Sequence, residues 1–307
     1  MYKDEYQREK ILKNHLKLLE DEAIAIIHDT YRESVNPVVL YSIGKDSSVL
    51  LHLFRKAFFP AKIPISFLHI DTGWKFREMI SFRDNITKKY NIDLKVFKNL
   101  KGERSGVTPF NNEKYTDIMK TDALKAALTE GNYDFVYGGA RRDEEASRSK
   151  EKILSHRDVN NRWDPKNQRI EPWNIFNTYK KKDESFRVFP ISNWTEINVW
   201  EYIKEENIEI VNLYFANDRK VLIKDEQLIL VDDDRLPVGK NDIVETRKVR
   251  FRTLGCYPLT AGTLSNATTL DQIIDEIKTT KYSERNGRLI DHDQIGSMEL
   301  KKREGYF

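Results

Sequence analysis

The chain has 307 residues, and its 52 Lys and Arg set against 49 Asp and Glu leave a formal net charge of only +3 although a third of the side chains are charged. That near-cancellation excludes a whole-protein basic field of the kind that holds nucleic acid, and it assigns any anion specificity to local clusters. A hydrophobic content of 39% supports a sizeable core, while the single cysteine, Cys256, excludes an internal disulfide and any cysteine-only metal or iron–sulfur site. The charged amino end, MYKDEYQREK, lacks the apolar run of a secretory signal, and no apolar stretch reaches the roughly 18 residues of a membrane span. A cytoplasmic protein with no membrane or nucleic-acid partner is expected.

Residues 6–33 place apolar groups at Leu12, Leu16, Leu19, Ala23, Ile26 and Thr30 or Tyr31, a helical spacing that predicts a leading amphipathic helix. Asn36-Pro37 ends it, because proline pushes the preceding residue out of the helical region. Strands are then predicted at 38–41, 65–70, 94–97 and 135–137, alternating with helices at about 47–58, 76–90 and 117–130. Such alternation predicts an α/β fold with a parallel sheet covered by helices on both faces. Residues 141–187 are dense in Arg, Lys, Asp and Asn and read as a functional excursion over the sheet's edge rather than core. A strand at 188–191 follows, and Asn193-Trp194-Thr195-Glu196 predicts a capping box for a helix to about Glu206. A hairpin is expected over 220–231 around Lys224-Asp225-Glu226, a helix over 269–278, and a basic tail at 301–307.

The most informative stretch is residues 38–51, VVLYSIGKDSSVLL. A buried strand ends at Tyr41, a small polar turn follows, and a helix opens with Ser47 and Ser48 expected at its cap. This geometry aims unpaired backbone N–H groups and the positive helix end at one point, where a phosphate binds. Lys45 adds a point charge. A Walker A loop would need glycine at 39 and Ser or Thr at 46, where Val39 and Asp46 stand. The stretch resembles instead the PP-loop, the S-G-G-x-D-S signature of ATP pyrophosphatases, which cleave ATP between the α and β phosphates. Ser42, Gly44, Asp46 and Ser47 match it, whereas Ile43 replaces a glycine that relaxes the turn. An ordinary strand-to-helix turn is the competing reading.

Further strings narrow the resemblance. LHIDTGWKFRE at 68–78 follows the second strand and GGARRDEE at 138–145 the fourth, both at carboxyl ends where open α/β sheets bind ligands. With WDPKNQR at 163–169, VFPISNWTE at 188–196, RFRTLGC at 250–256 and SMELKKR at 297–303, the chain from about residue 12 onward is similar to the small-subunit family of bacterial sulfate adenylyltransferase. The resemblance implies an α/β PP-loop ATP pyrophosphatase fold, adenine nucleotide alpha hydrolase-like, with an irregular C-terminal extension. It divides the chain into a helix at 1–35, an adenylyl-transfer domain at 36–215 and an extension at 216–307. It also implies formation of adenosine 5′-phosphosulfate and diphosphate from ATP and sulfate, with Mg2+ accompanying ATP and a large GTPase subunit as partner. Since the chain has no Walker A loop, GTP would be hydrolysed in trans.

Sulfate is already ionised, so the chemistry asks for cations that bring two anions together rather than for a general base. Ser42, Gly44, Lys45, Asp46, Ser47 and Ser48 are expected to hold the β and γ phosphates, with Asp46 also serving Mg2+ directly or through water. By analogy with the family, His69, Asp71 and Thr72 border the adenosine; for Asp71 a helix N-cap before Phe76 is the alternative. Gly138 and Gly139 let the backbone approach a ligand, and Arg141 and Arg142 present planar guanidinium groups to sulfate or the α-phosphate. Asp143, Glu144 and Glu145 would orient those arginines, with ligation of magnesium by one of these carboxylates as the alternative. Arg250 and Arg252 alternate on a predicted strand and are further sulfate candidates, with a surface ion-pair row as the alternative. Cys256 stands in a Gly-Cys-Tyr-Pro-Leu-Thr string where related reductases carry a second cysteine at the Leu259 position, so it reads as a small packed residue and no iron–sulfur cluster is expected. Two other classes stay open: a PP-loop enzyme with another nucleophile, and a non-catalytic nucleotide-binding regulator of a GTPase.

Overall fold

The computed structural model describes residues 2–144 and 146–279. The 297–303 string, the 301–307 tail and Glu145 lie outside the described residues. The leading helix α1 (Tyr2–Arg32) buries Leu16, Leu19, Ala23, Ile26, Ile27 and Thr30 along one stripe. Then come β1 (Pro37–Leu40), α2 (Lys45–Phe58), β2 (Ser66–Asp71), α3 (Arg77–Lys89), β3 (Leu94–Lys98) and the short α4 (Leu100–Arg104). A π-helical segment, Asp117–Asp122, leads into α5 (Ala123–Gly131), followed by β4 (Phe135–Tyr137), the short α6 (Ala146–Ser149), β5 (Leu154–Arg157) and β6 (Ser185–Val188). The chain continues through α7 (Glu196–Glu205), β7 (Asn217–Lys224), β8 (Gln227–Leu230), β9 (Ile243–Arg250), β10 (Thr263–Leu264) and α8 (Leu270–Thr279).

Six strands form one sheet in the order β3-β2-β1-β4-β6-β5, parallel throughout except for β5, which runs antiparallel to β6. Alternation along β1 sends Val39 to one face and Val38 to the other. Val39 joins Phe67, Phe135 and Tyr137 in the main core with residues of α1, α2 and α7, while Val38, Leu68 and Val136 pack on Leu124, Ala127 and Leu128 of α5. The order reverses between β1 and β4, which opens a crevice at their carboxyl ends. The four strands β10-β9-β7-β8 form a second, antiparallel sheet. Its Leu222, Ile229 and Leu230 belong to the main core, and Asp225 and Glu226 turn its hairpin with positive φ at both positions, as a two-residue turn requires.

Two expectations are corrected. Residues 141–187 are not merely an excursion over the edge, since they supply the edge strand β5 itself. Arg157 and Arg187 are fully buried there, and Arg157 Nη2 donates to Glu151 Oε1 at 2.5 Å. Mutual pairing lets a charged segment serve as interior. The strand expected at 188–191 lies at Ser185–Val188, because the buried Arg187 masks the apolar signal of the run.

Candidate active site

The phosphate loop leaves β1 through Tyr41 and turns at Ile43, whose φ of 70° is the left-handed conformation a glycine adopts without cost. The Ile43 side chain is fully buried. Gly44 is the N-cap of α2 and provides no side-chain cap, so the helix starts at Lys45. Ser47 and Ser48 therefore fall within the first turn and are not the cap: Ser47 Oγ donates to the Gly44 carbonyl at 2.9 Å and Ser42 Oγ donates to Ser47 Oγ at 3.2 Å. The Lys45 N–H is served from across the fold, by the Tyr214 hydroxyl at 2.8 Å, which removes the need for a local serine cap.

Asp46 lies between two cations. Lys45 Nζ donates to its Oδ2 at 3.1 Å and Arg141 Nε to its Oδ1 at 2.7 Å. Burial opposes ionisation of this carboxyl, but Lys45 and Arg141 outweigh it and hold Asp46 well below the usual carboxylate range. The side chain of Arg141 is fully buried, and Asp143 and Glu144 lie 3.7 and 4.0 Å from its guanidinium. Gly139 has a stricter reason for being glycine than ligand access: a Cβ there would stand 3.1 Å from the Asp46 backbone carbon. The β4 end is thus pressed against the start of α2.

A cleft of about 210 Å³ opens over these strand ends, lined by Ser42, Gly44, Lys45, Asp46 and Ser47 of the loop, by His69, and by Gly138 and Gly139. Leu40, Leu68, Ile70 and Leu124 form an apolar wall, and Thr253, Leu254 and Gly255 close the cleft from beyond β9. His69 is buried, and its Nδ1–H donates to the Tyr41 carbonyl at 2.8 Å. Burial, helped by Lys75, lowers its pKa to about 4, so the imidazole is neutral at pH 7 with Nε2 as an acceptor. The apolar wall suits a base and the loop end suits a polyphosphate.

Not all the expected residues line the cleft: Arg141 itself is fully buried behind Asp46 and is not part of the lining. Ser48 is buried beside the Tyr41 phenol. Asp71 does not cap α3, whose N-cap is Phe76; its Oδ1 accepts from the Gly73 N–H at 2.8 Å and shapes the loop after β2. Thr72 is buried 3.5 Å from the Cys256 sulfur, and Cys256 packs with Tyr115 and Met119. Arg142 Nη1 donates to Asn193 Oδ1 at 2.7 Å. Because β9 ends at Arg250, Arg250 and Arg252 do not share a strand face. Arg250 pairs with Glu276 of α8 at 2.8 Å and Arg252 with Glu196 of α7 at 3.0 Å. Conversely, Lys75, Lys120, Arg148 and Tyr214 line the cleft without having been singled out. Lys75 lies inside the 68–78 string and could have been found there. Lys120 is presented by the π-helical segment, a local feature that helical periodicity does not show.

Residues 36–262 match the family described as phosphoadenosine phosphosulfate reductase domain. The chain is 58% identical over 295 residues to sulfate adenylyltransferase subunit 2 of Psychromonas ingrahamii, covering 95% of this chain and 98% of that one. The same identity and coverage relate it to sulfate adenylyltransferase subunit 2 of Vibrio cholerae. Among solved structures, the phosphoadenylyl-sulfate reductase of Candida auris in a phosphate complex has a TM-score of 0.46 at 16% identity, over 65% of this chain and 89% of that one. From its sequence and its phosphate loop alike, the chain belongs to the sulfate adenylyltransferase subunit 2 family, a family of nucleotidyltransferases.

Proposed function

We propose that the chain adenylylates sulfate: ATP and sulfate give adenosine 5′-phosphosulfate and diphosphate. The observation that carries the reading is the 58% identity, over nearly the whole length of both chains, to relatives named for this activity. The cleft is chemically suited to it. The nucleoside lies along Leu40, Leu68, Ile70 and Leu124, and the phosphates lie on the loop from Ser42 to Ser47 at the positive end of α2. A sulfate oxygen attacks the α-phosphorus, the bond from that phosphorus to the bridging oxygen breaks, and diphosphate leaves with the electron pair. No proton moves in the bond-forming step. Lys45 holds positive charge beside the phosphates, Lys75, Lys120 and Arg148 add to it around the cleft, and the buried Arg141 supports it through Asp46. The Arg141 side chain is fully buried against Asp46 and adds its charge from behind the lining, so sulfate is assigned to the cations that line the cleft, Lys75, Lys120 and Arg148.

Asp46 is fit to meet Mg2+ arriving with ATP. It is ionised, it lines the cleft, and each oxygen held by a cation keeps a second lone pair for a metal-bound water. Magnesium there supplies neutralisation of phosphate charge. The chain works as one subunit of a heteromer with a GTPase, in the cytoplasm. Among the described residues no helix is long and apolar enough to cross a membrane.

The test is diphosphate release from ATP by the chain combined with its GTPase partner, with and without sulfate. Release that depends on sulfate is expected, reduced about 10- to 100-fold in Asp46→Asn with the fold intact. Release indifferent to sulfate, or none with the partner present, would refute the assignment.

A further inference from the structure

His69 stands on the core face of β2, two residues on from Phe67 in the alternation of the strand, and is 1% exposed. An imidazole buried on an apolar face costs free energy unless it is hydrogen-bonded. Its Nε2 has no hydrogen-bond partner among the described residues, so the bond that accounts for the ring is the one from Nδ1–H to the Tyr41 carbonyl at 2.8 Å. Tyr41 is the residue from which the chain leaves β1 for the phosphate loop. Its N–H donates to the Leu68 carbonyl at 2.9 Å, so β2 holds both polar groups of the Tyr41 backbone, one through its main chain and the other through the His69 ring.

The Tyr41 carbonyl and the Ser42 N–H belong to one planar peptide. Fixing the direction of the carbonyl fixes that plane, and with it the line along which residues 42–44 leave the strand. The far end of the same segment is fixed at Lys45, whose N–H donates to the Tyr214 hydroxyl, and its middle by the fully buried Ile43 side chain. Ile43 holds a left-handed φ of 70°, which a β-branched residue keeps only where its surroundings enforce it. We propose that His69 is a positioning residue for phosphate binding: by donating its Nδ1–H to the Tyr41 carbonyl it holds the Tyr41–Ser42 peptide, and hence the phosphate loop, in the conformation that receives the polyphosphate. The imidazole acts through the Tyr41 carbonyl and not on the nucleoside. This deepens the reading of the cleft as an ATP site and rests on it.

The experiment is calorimetric titration of the full chain with magnesium diphosphate and, separately, with adenosine. His69→Asn places an amide N–H as many bonds from Cβ as Nδ1 is, whereas His69→Leu has the same branching and no donor. Without the bond the loop occupies its receptive conformation for only a fraction of the time, and the apparent Kd rises by the inverse of that fraction. One hydrogen bond corresponds to a factor of about 2 to 10 in Kd, expected for diphosphate in His69→Leu, with adenosine affinity unchanged and diphosphate affinity restored in His69→Asn. A merely structural histidine predicts the opposite order, because leucine suits a buried apolar face better than asparagine does. Diphosphate affinity in His69→Leu equal to that of the wild type, adenosine affinity that falls with it, or no recovery in His69→Asn each overturns the inference, and the first two decide it without the asparagine variant. If His69→Leu fails to fold, His69→Met, a flexible side chain with no donor, takes its place under the same criteria. A wild-type chain that binds neither ligand rejects the ATP-site reading itself, a result distinct from any variant's.

Discussion

His69 shows how one buried side chain couples the site to stability. Its neutral form is favoured by burial first and by the nearby Lys75 second, which sets its pKa at about 4 in the folded chain against 6.5 unfolded. Between those values the unfolded chain binds more protons, so stability is full above pH 6.5 and is lost as pH falls toward 4, by on the order of 3 kcal/mol from this group. Urea denaturation across that window should show a shallower pH dependence in His69→Gln than in the wild type. Parallel curves would mean that His69 is not held neutral. Other residues of the site were less legible. Ile43 departs from the PP-loop pattern, and the structure gives a physical account: strain at φ 70° costs about 1–3 kcal/mol, while burying an isoleucine contributes about 1.5–3 kcal/mol. The two offset, so the position tolerates a residue that turn chemistry alone argues against. Motif and charge together mark Lys45 and Asp46 in the sequence, motif alone marks Ser47, and the structure brings the buried Arg141 onto Asp46, whereas Tyr214 lies 169 residues from Lys45 with no local pattern to mark it.

Among the elements, α1 is fastened by a buried carboxylate rather than by its apolar stripe alone. Glu20 Oε2 accepts from Lys56 Nζ of α2 and from Tyr202 Oη of α7, each at 2.5 Å, and Oε1 accepts from Lys17 at 2.8 Å. Burial opposes its ionisation, yet these three donors outweigh it and bring the pKa to about 2 from 4.5. Stability from this group is therefore present above pH 4.5 and lost as pH falls through 2. Replacing one member of a buried ion pair costs about 3–5 kcal/mol, and since Lys56 also meets Glu206 at 3.0 Å, Glu20→Gln should fall near the lower end. The deficit should shrink below pH 4.5. A loss under about 1 kcal/mol at pH 7, or one that ignores pH, would show that the three helices do not depend on this contact. The same chemistry explains which elements were legible. α1, α2, α3 and β1 to β4 follow apolar periodicity, whereas β5 and β6 carry buried arginines that read as surface until Glu151 is placed beside them.

At the scale of the whole molecule, β–α alternation predicts the parallel sheet, but no periodicity predicts that β1 and β4 become neighbours. That adjacency brings Asp46 to Arg141 and makes a single cleft from two strings 95 residues apart. It also frames the energetic problem. In the proposed reaction the anhydride between phosphate and sulfate lies uphill from ATP, and the chain has no Walker A loop with which to draw on a second nucleotide. The isolated chain should therefore reach an equilibrium with little adenosine 5′-phosphosulfate, whatever the quality of its cleft, because a catalyst changes rates and not equilibria. Adding inorganic pyrophosphatase removes one product and should raise the yield by mass action, and adding the proposed GTPase partner with GTP should raise it without pyrophosphatase. Yields are read by chromatography of the nucleotides at equilibrium. Product approaching stoichiometry with ATP in the isolated chain, with neither addition, would show that the driving energy is drawn within this chain and that no partner is needed to supply it.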